Sequence, residues 1–314
     1  MQEATSGHLA VAQGWRPPVP EVEVAGVRMG GPPGMYPTVL VGSIFYDRHK
    51  IVADMKTGVF DEETAERLLR EQDAWSARTG NPCMVDVVAS SKKAMVRYLD
   101  FVLSRTAAPV MVDGSSPEVR MAGVKWAAGE GVIDRVIYNS LSPESTSAEY
   151  DVLGECGCRS AVLLSVASDD LSLAGRLNAL EGERGLLARA KAAGVDRLLV
   201  DPGVIDIPSL GIAAEAMHRI RTIHGLVCGT AAHNALGTWG GLWSGKFGDD
   251  APDVMSAVVS ALNTAWAGSF LIYGPLSAAR RVFPAVAAVD AAQAQILMEE
   301  GVMVDLEHPL FKIA

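Results

Sequence analysis

The sequence predicts an α/β protein, a TIM (β/α)8 barrel with an N-terminal hairpin-like extension. Eight short apolar or β-branched runs alternate with amphipathic helical patterns along the chain, and eight βα units close such a barrel. Runs such as "AVLLSVA" are continuously apolar, as parallel strands covered on both faces should be. An open doubly wound sheet is the alternative, but it rarely keeps this alternation through eight units. No G-x-G-x-x-G follows the first run, which also disfavours a dinucleotide-binding sheet.

The chain divides into an extension, residues 1–37, and a predicted barrel domain, residues 38–314. The extension is rich in Gly and Pro, and its alternating run "EVEVAGV" predicts a hairpin. The predicted barrel strands, in order, are "TVLVGSIF", "CMVDVV", "PVMVDG", "RVIYNS", "SAVLLSVA", "DRLLVDP", "GLVCGT" and "SFLIYG".

A helical pattern follows each predicted strand, and the helix starts carry recognisable signals. "DEETAERLLREQDAWSART" places acids in its first turn, where they complement the helix dipole. Ser116 is a predicted N-cap, with Pro117 at the first helical position and Glu118 in the first turn. The last strand precedes the long pattern "SAARRVFPAVAAVDAAQAQILMEEG". These signals support the division into βα units.

Composition excludes several classes of function. Hydrophobic residues make up 49% and charged residues 20% of the chain, a globular composition. The net charge of −10 leaves no basic face for nucleic acid. The start has no basic and apolar leader, and no apolar run is long enough to span a membrane, so we expect a cytoplasmic protein without membrane contact.

The four cysteines form no C-x-x-C pair. A zinc thiolate site would require them to converge in space, and buried reduced thiols are the more usual state in the cytosol. We therefore expect no metal. The cysteines are Cys83, Cys156, Cys158 and Cys228.

Polar side chains lie at the ends of four predicted strands. Asp113 ends the third strand, Asn139 the fourth and Asp201 the sixth, while the seventh runs on to Asn234. In a barrel the carboxyl ends of the strands share one face, which carries the chemistry. Each residue also has a structural alternative, since Asp113 and Asn139 are good helix caps and Asp201 before Pro202 is a common turn starter.

Two carboxylates and two amides suit a flat, neutral heterocycle rich in N–H and C=O groups. A pterin's aminopyrimidine is such a ring, because it presents adjacent donors to a carboxylate and a carbonyl to an amide. Neither a Glu or Lys base of the enolase type nor a His cluster for metal is evident at these strand ends.

Several blocks resemble the tetrahydromethanopterin S-methyltransferase MtrH family and its bacterial relatives, the methylcobalamin:tetrahydrofolate methyltransferases. The blocks are "PTVLVGSIFYDRHKIV", "TGNPCMVDVV", "VIYNS" and "HNALGTWG", and the likeness runs from about Val22 onward. The resemblance implies a pterin-binding TIM barrel in which Asp113, Asn139 and Asp201 bind the pterin. It also implies that Asn234 is the catalytic amide beside N5.

The resemblance further implies methyl transfer between a corrinoid protein and N5 of tetrahydrofolate, with tetrahydrofolate or methyltetrahydrofolate as substrate. None of the six histidines lies in a D-x-H-x-x-G context, so the cobamide is expected on a partner protein. A homodimer is also expected. Three alternatives stay open: a tetrahydromethanopterin-specific subunit, a dihydropteroate synthase-like enzyme, and a non-catalytic subunit that docks a corrinoid protein.

Other residues are candidates for the mouth of the barrel or for partner contacts, namely Tyr46, His49, His233 and Trp239. Arg48 lies in the same loop as Tyr46, and Trp243 belongs with Trp239 to a possible lid. Ordinary packing or a surface loop is the competing interpretation of each. Arg176 and Lys246 are candidates for the folate's glutamate tail, against the alternative of solvated surface cations.

Overall fold

The predicted TIM barrel is confirmed. The computed structural model describes residues 17–182, 184–237 and 240–314, with the backbone alone at 240–243. Eight parallel strands form a closed barrel in which each strand pairs with the strands before and after it in the chain, and the last pairs with the first. The strands of the chain are β1 (Val19–Val24), β2 (Val27–Gly31), β3 (Val39–Ile44), β4 (Val52–Asp54), β5 (Val59–Phe60), β6 (Cys83–Ala89), β7 (Val110–Gly114), β8 (Val136–Leu141), β9 (Ser160–Leu164), β10 (Arg197–Asp201), β11 (Val227–Thr230) and β12 (Phe270–Pro275). The barrel consists of β3 and β6 to β12.

Helices lie in the connections between the barrel strands and after the last strand. They are α1 (Glu62–Thr79), α2 (Lys92–Arg105), α3 (Pro117–Gly129), α4 (Ser147–Glu155), α5 (Leu173–Asn178), α6 (Leu186–Ala192), α7 (Ile207–His224), α8 (Asn234–Gly237), α9 (Gly240–Phe247), α10 (Ala251–Ala265), α11 (Ala279–Glu299) and α12 (Pro309–Lys312). Two connections depart from one helix per strand, since β9 is followed by α5 and α6 and β11 by α8, α9 and α10. In addition, the hairpin of β4 and β5 precedes α1. No helix in the described ranges is long and apolar enough to cross a membrane.

The helix starts agree with the predicted signals. The N-cap Asp61 accepts a hydrogen bond from the backbone N–H of Thr64, which satisfies one of the free amides at the start of α1. Helix α3 begins at Pro117 with Ser116 in the N-cap position, although the Ser116 side chain makes no capping bond.

The predicted N-terminal hairpin is present as the antiparallel pair β1 and β2. Val19, Val24 and Met29 of this hairpin are buried in one cluster with inward-facing side chains of the barrel, among them Val39 and Met111. The hairpin therefore covers apolar side chains inside the barrel. The polar strand ends lie elsewhere, around the cavity described below.

The cysteines form no disulfide, and three of them, Cys83, Cys158 and Cys228, are buried. Burial raises the pKa of the Cys83 and Cys228 thiols to about 12, which keeps them protonated. Within the described part of the chain, no three His, Cys, Asp or Glu side chains are grouped closely enough to hold a metal ion.

Candidate functional site

One cavity at the carboxyl ends of the barrel strands brings together the four strand-end residues that the sequence singles out. Asp113, Asn139, Asp201 and Asn234 all line it, and its volume is about 520 Å³. Pockets that hold small molecules span roughly 300–1,000 Å³. The cavity is thus large enough for a bicyclic ring, and its position is the one where TIM barrels carry their chemistry.

Asp113 lies near the end of β7, directly beside Asn139 of β8 in the strand register. It caps no helix, because α3 begins after Ser116. Burial raises the pKa of the Asp113 carboxyl well above its usual range, the neighbouring charge of Asp86 raises it further, and Arg120 opposes both. Among the described residues no donor reaches this carboxylate, so its oxygens are available to a ligand.

Asp86 is a site residue that the strand-end rule misses. It lies in the middle of β6, is only 3% exposed, and lines the cavity. Its two oxygens accept hydrogen bonds from the Ser43 hydroxyl at 2.8 Å and from the Asn139 amide nitrogen at 3.2 Å. Burial raises its pKa to about 6, against the effect of these two bonds. The available signal was an acid inside the apolar run "CMVDVV", since an unpaired carboxylate is rarely buried.

Asn139 is bonded to Asp86 and lies beside Asp113 in the strand register. Its amide nitrogen donates to Asp86, and its oxygen receives no donor from the described chain. The alternative of a helix cap is wrong, because α4 begins at Ser147 and is capped by Thr146. The Asn139 oxygen is therefore a second free acceptor beside Asp113.

Asp201, at the end of β10, both starts a turn and lines the cavity. It accepts hydrogen bonds from the backbone N–H of Gly203 at 2.7 Å and of Ala231 at 3.2 Å, so it does organise the turn after its strand. It also lines the cavity. Burial raises its pKa to about 6, while the two backbone donors and Arg176 oppose that shift.

Asn234 begins the short helix α8 and is exposed on the cavity. Its backbone N–H donates to Ala231 at 3.0 Å, which completes the turn after β11. No other described side chain or backbone group is bonded to its carboxamide. Within the described chain the carboxamide is therefore available to a ligand in the cavity.

His233 lies in that turn and is bonded to the neighbouring strand β12. Its Nδ1 lies 3.0 Å from the carbonyl oxygen of Ile272, and because a carbonyl only accepts, Nδ1 carries the proton. Burial lowers the pKa of His233, which favours the neutral ring. The ring packs against Gly274, where an added Cβ would lie 3.0 Å from it.

Tyr46 also lines the cavity, and His49 does not. His49 stacks on the Tyr46 ring at 4.3 Å with an interplanar angle of 11°. Its Nδ1 accepts a hydrogen bond from the backbone N–H of Phe45 at 3.1 Å. His49 therefore supports Tyr46, while the neighbouring Arg48 is exposed.

Two other candidates resolve differently. Arg176 is buried rather than a surface cation, since its guanidinium donates to the carbonyls of Pro202, Leu171 and Gly203. Its guanidinium is thereby bonded to the loops after β9 and after β10 and is not free for a ligand's anionic tail. Lys246 is exposed on α9. Trp239 and the Trp243 side chain lie outside the described residues.

The electrostatics of the cavity select one class of ligand. Asp86, Asp113 and Asp201 line it, and no Lys or Arg from the described ranges does. Buried carboxylates need donors or positive charge. The arrangement suits a neutral or cationic heterocycle that presents N–H groups, and it disfavours an anionic one.

Comparisons of the sequence agree with this picture. A model of the tetrahydromethanopterin S-methyltransferase MtrH subunit family matches residues 20–305. The MtrH-type protein of Methanothermobacter thermautotrophicus, named for the same enzyme, is 33% identical over 301 residues, covering 93% of this chain and 96% of the relative. The corresponding protein of Methanopyrus kandleri is 35% identical over 309 residues, covering 91% of this chain and 95% of the relative.

Solved structures with the same fold include dihydropteroate synthases. The enzyme from Xanthomonas albilineans in complex with 7,8-dihydropteroate has a TM-score of 0.54 at 18% identity, over 88% of this chain and 99% of that one. The enzyme from Yersinia pestis with a sulfonamide drug has a TM-score of 0.59 at 13% identity, over 88% and 100%. At such identities the likeness shows the fold alone.

Proposed function

Because this chain belongs to the MtrH family, as the match over residues 20–305 shows, we propose that it transfers a methyl group between N5 of a tetrahydropterin and a corrinoid carried by another protein. The observation that carries the proposal is the cavity at the barrel mouth, where Asp113, Asn139, Asp201 and Asn234 converge. The family name supports the type of reaction. The substrate class is supported by the hydrogen-bond acceptors of Asp113 and Asn139, which have no protein donor in the described chain.

The pterin is proposed to be tetrahydromethanopterin. The expectation of tetrahydrofolate rests on analogy alone, whereas the relatives are named for tetrahydromethanopterin. Both pterins carry the same aminopyrimidine ring, so the same wall would serve either. The difference between them lies outside the part of the ligand that these carboxylates would contact.

The aminopyrimidine would bind against the wall formed by β7 and β8. Asp113 has two oxygens without protein donors in the described chain, which fits adjacent N–H groups accepted in a bidentate manner. The free oxygen of Asn139 lies beside it in the strand register. Asp201 would contact the ring with the lone pairs that Gly203 and Ala231 leave free.

Asn234 would act at N5. In one direction the bond from N5 to the methyl carbon breaks and its electron pair stays on N5, which needs a hydrogen-bond donor or a proton. In the other direction N5 must present a free lone pair. A carboxamide serves both, because its NH2 donates to a lone pair and its oxygen accepts from a protonated N5–H. The three nearby carboxylates would also favour a protonated ring.

The corrinoid is a second substrate in this proposal, and its cobalt accepts or supplies the methyl group. The open side of the cavity is where it would approach. Tyr46 and Asn234 line the cavity and follow the strand ends of β3 and β11. No cobamide-binding role is assigned to this chain.

The alternative of a dihydropteroate synthase gains no support beyond the shared fold. Arg280 and Arg281 after the last strand lie on α11 and do not line the cavity, and Arg281 is paired with Asp253. A pyrophosphate release assay would detect that activity. A non-catalytic docking subunit is disfavoured by the free acceptors of Asp113 and Asn139 in the cavity.

The decisive experiment mixes the purified chain with methylcobalamin and either tetrahydromethanopterin or tetrahydrofolate, and follows the corrinoid absorption spectrum. We expect demethylation of the corrinoid that depends on chain and pterin together, faster with tetrahydromethanopterin. Calorimetric binding of each pterin is the companion measurement. Absence of binding by either pterin would contradict the proposal, whatever the partner required for turnover.

A further inference from the structure

We propose that Asp86 is a positioning residue that fixes the Asn139 amide so that its oxygen faces the ligand, which makes this wall specific for a ring edge bearing N–H donors. The inference rests on the proposed function and names the determinant of its pterin specificity. It concerns a residue that acts through another one, and no contact of Asp86 with substrate is needed.

The two hydrogen bonds to Asp86 require both of its neighbours to act as donors. A carboxylate only accepts, so the Ser43 hydroxyl at 2.8 Å and the Asn139 group at 3.2 Å must both donate. Asn139 therefore turns its nitrogen towards Asp86. Ser43 and Asp86 are also direct partners in the register of β3 and β6, so the sheet fixes the positions of these two residues.

The position of the Asn139 oxygen follows from this constraint. With its nitrogen committed to Asp86, the amide presents its oxygen on the other side, and no donor from the described chain reaches that oxygen. Asn139 and Asp113 are partners in the register of β7 and β8. The wall thus offers the Asp113 oxygens and the Asn139 oxygen side by side, all of them acceptors.

The burial of Asp86 is otherwise unexplained by the fold. It caps no helix and pairs with no cation among the described residues, yet it lies within an apolar strand at 3% exposure. An apolar residue there would spare the fold the cost of desolvating a carboxylate. Orientation of the amide is what the carboxylate supplies and an apolar side chain does not.

Two bicyclic compounds distinguish a wall of hydrogen-bond acceptors from a wall that presents a donor. 6-Methylpterin carries an amino group at C2, whereas 6-methyllumazine carries a carbonyl there and is otherwise closely similar in shape. A wall of acceptors binds the first and repels the second. A wall that presents an amide NH2 reverses part of that preference, because a mismatched buried polar group costs roughly 1–3 kcal/mol, or about 5- to 150-fold in affinity.

The test measures the affinity of both probes by calorimetry for the wild type and for Asp86→Asn. In this variant the Ser43 hydroxyl can donate to the new amide oxygen or accept from the new NH2, so position 86 no longer holds the Asn139 nitrogen and the Asn139 oxygen can turn towards it. We expect the preference for 6-methylpterin over 6-methyllumazine to fall at least about tenfold. Ser43→Ala is the matched control. It removes one bond to Asp86, keeps the carboxylate, and should leave the preference unchanged.

The exchange variant, Asp86→Asn with Asn139→Asp, tests whether a lost preference comes from hydrogen-bond polarity and not from disruption of the site. It keeps the net charge and the bond between the two positions, with donor and acceptor reversed, and it returns a carboxylate oxygen to the ligand side. We expect it to restore the preference for 6-methylpterin. This variant also keeps the proposal testable if Asp86→Asn alone does not fold.

The outcomes are distinguishable. An unchanged preference in a folded Asp86→Asn variant, or an exchange variant that does not restore the preference for 6-methylpterin, would overturn the role of Asp86 and leave the proposed function standing. If the wild type binds neither probe, the pterin function fails and this inference fails with it.

Discussion

Asp113 and Asp86 lie on neighbouring strands of the barrel, and the charge of Asp86 adds to burial in holding the pKa of the Asp113 carboxyl well above its usual range. Asp86 has two donors of its own, whereas Asp113 has none within the described chain. Asp113 therefore lacks donors on the side of the cavity where a ligand can supply them. Functional sites are where such perturbed groups are concentrated.

The substitution of Asp by Asn should affect stability differently at Asp113 and at Asp201. Asp113→Asn removes a like charge beside Asp86 and leaves no described protein donor stranded, so we expect its free energy of unfolding in urea to be unchanged or higher. Asp201→Asn places an NH2 against one of two backbone donors, Gly203 or Ala231, and should lose about 1–3 kcal/mol. Both variants should bind 6-methylpterin more weakly. Equal stability of the two would contradict the assigned contacts.

Binding of 6-methylpterin should strengthen as the pH rises from 5 to 7.5. Burial and the charge of Asp86 raise the pKa of Asp113, which shifts its ionisation to higher pH, and a protonated carboxyl accepts hydrogen bonds poorly. Asp86 and Asp201, both with a pKa of about 6, change charge in the same direction. The other titratable groups lining the cavity are His233, whose pKa is lowered, and Tyr46, whose pKa is raised.

The neighbouring groups allow a control for this pH dependence. His233 and Tyr46 both stay neutral at pH 7 to 7.5, and Arg120 behind Asp113 stays charged throughout, because its hydrogen-bond partners outweigh burial and leave its pKa raised. Calorimetric titrations of wild type and Asp113→Asn at each pH test the assignment. A flat wild-type profile, or an identical slope in the variant, would rule out Asp113 as the acceptor.

Asp290 should make the ligand-free protein less stable as the pH rises. Burial raises its pKa to about 7, against donors from Thr38 and Asn81. A carboxyl whose pKa is higher in the folded state stabilises it at low pH, and that contribution is lost between about pH 4 and pH 7. The Tm of the wild type minus that of Asp290→Asn should therefore be larger at pH 5 than at pH 7.5. A difference that grows with pH would show the opposite sign and refute the assignment.

Asn234→Ala should separate binding from turnover. The amide is exposed on the cavity and makes no described side-chain bond, so its loss should leave stability unaffected and pterin binding weakened but present. Turnover should fall by about two to three orders of magnitude, as loss of one preorganised hydrogen bond does. The exposed Asn178 offers a control, since Asn178→Ala should change neither quantity. Full activity of Asn234→Ala would exclude the proposed role at N5.

Gly274→Ala should disturb the site through His233. Gly274 has φ of +86°, and an added Cβ would lie 3.0 Å from the His233 ring, so the substitution combines backbone strain with a close contact. We expect a loss of about 1–3 kcal/mol in stability and lower turnover, because the turn before Asn234 must shift. In Gly129→Ala, a helical position with open space, stability should hold or rise. A wild-type profile for Gly274→Ala would show that His233 does not position Asn234.

The sequence by itself determined the barrel and the face that carries the site. Alternating strand and helix patterns reflect which side chains each element buries, and these local periods predicted all eight strands and the starts of α1 and α3. The rule that parallel strands end on one face then placed Asp113, Asn139, Asp201 and Asn234 around one cavity. The short hairpin of β4 and β5 was not predicted, because strands of two and three residues are too short to show a periodic pattern.

Tertiary structure alone decided how these side chains are bonded. Asp86 and Asn139 are 53 positions apart, and only the closed barrel brings the Asn139 amide nitrogen within hydrogen-bond distance of the Asp86 carboxylate. The same holds for Asp201, whose donors come partly from the next strand's loop, and for Arg176, which the surrounding carbonyls bury. Periodicity encodes which residues are covered, whereas a hydrogen bond depends on distances and directions between distant segments, which exist only once the barrel has closed.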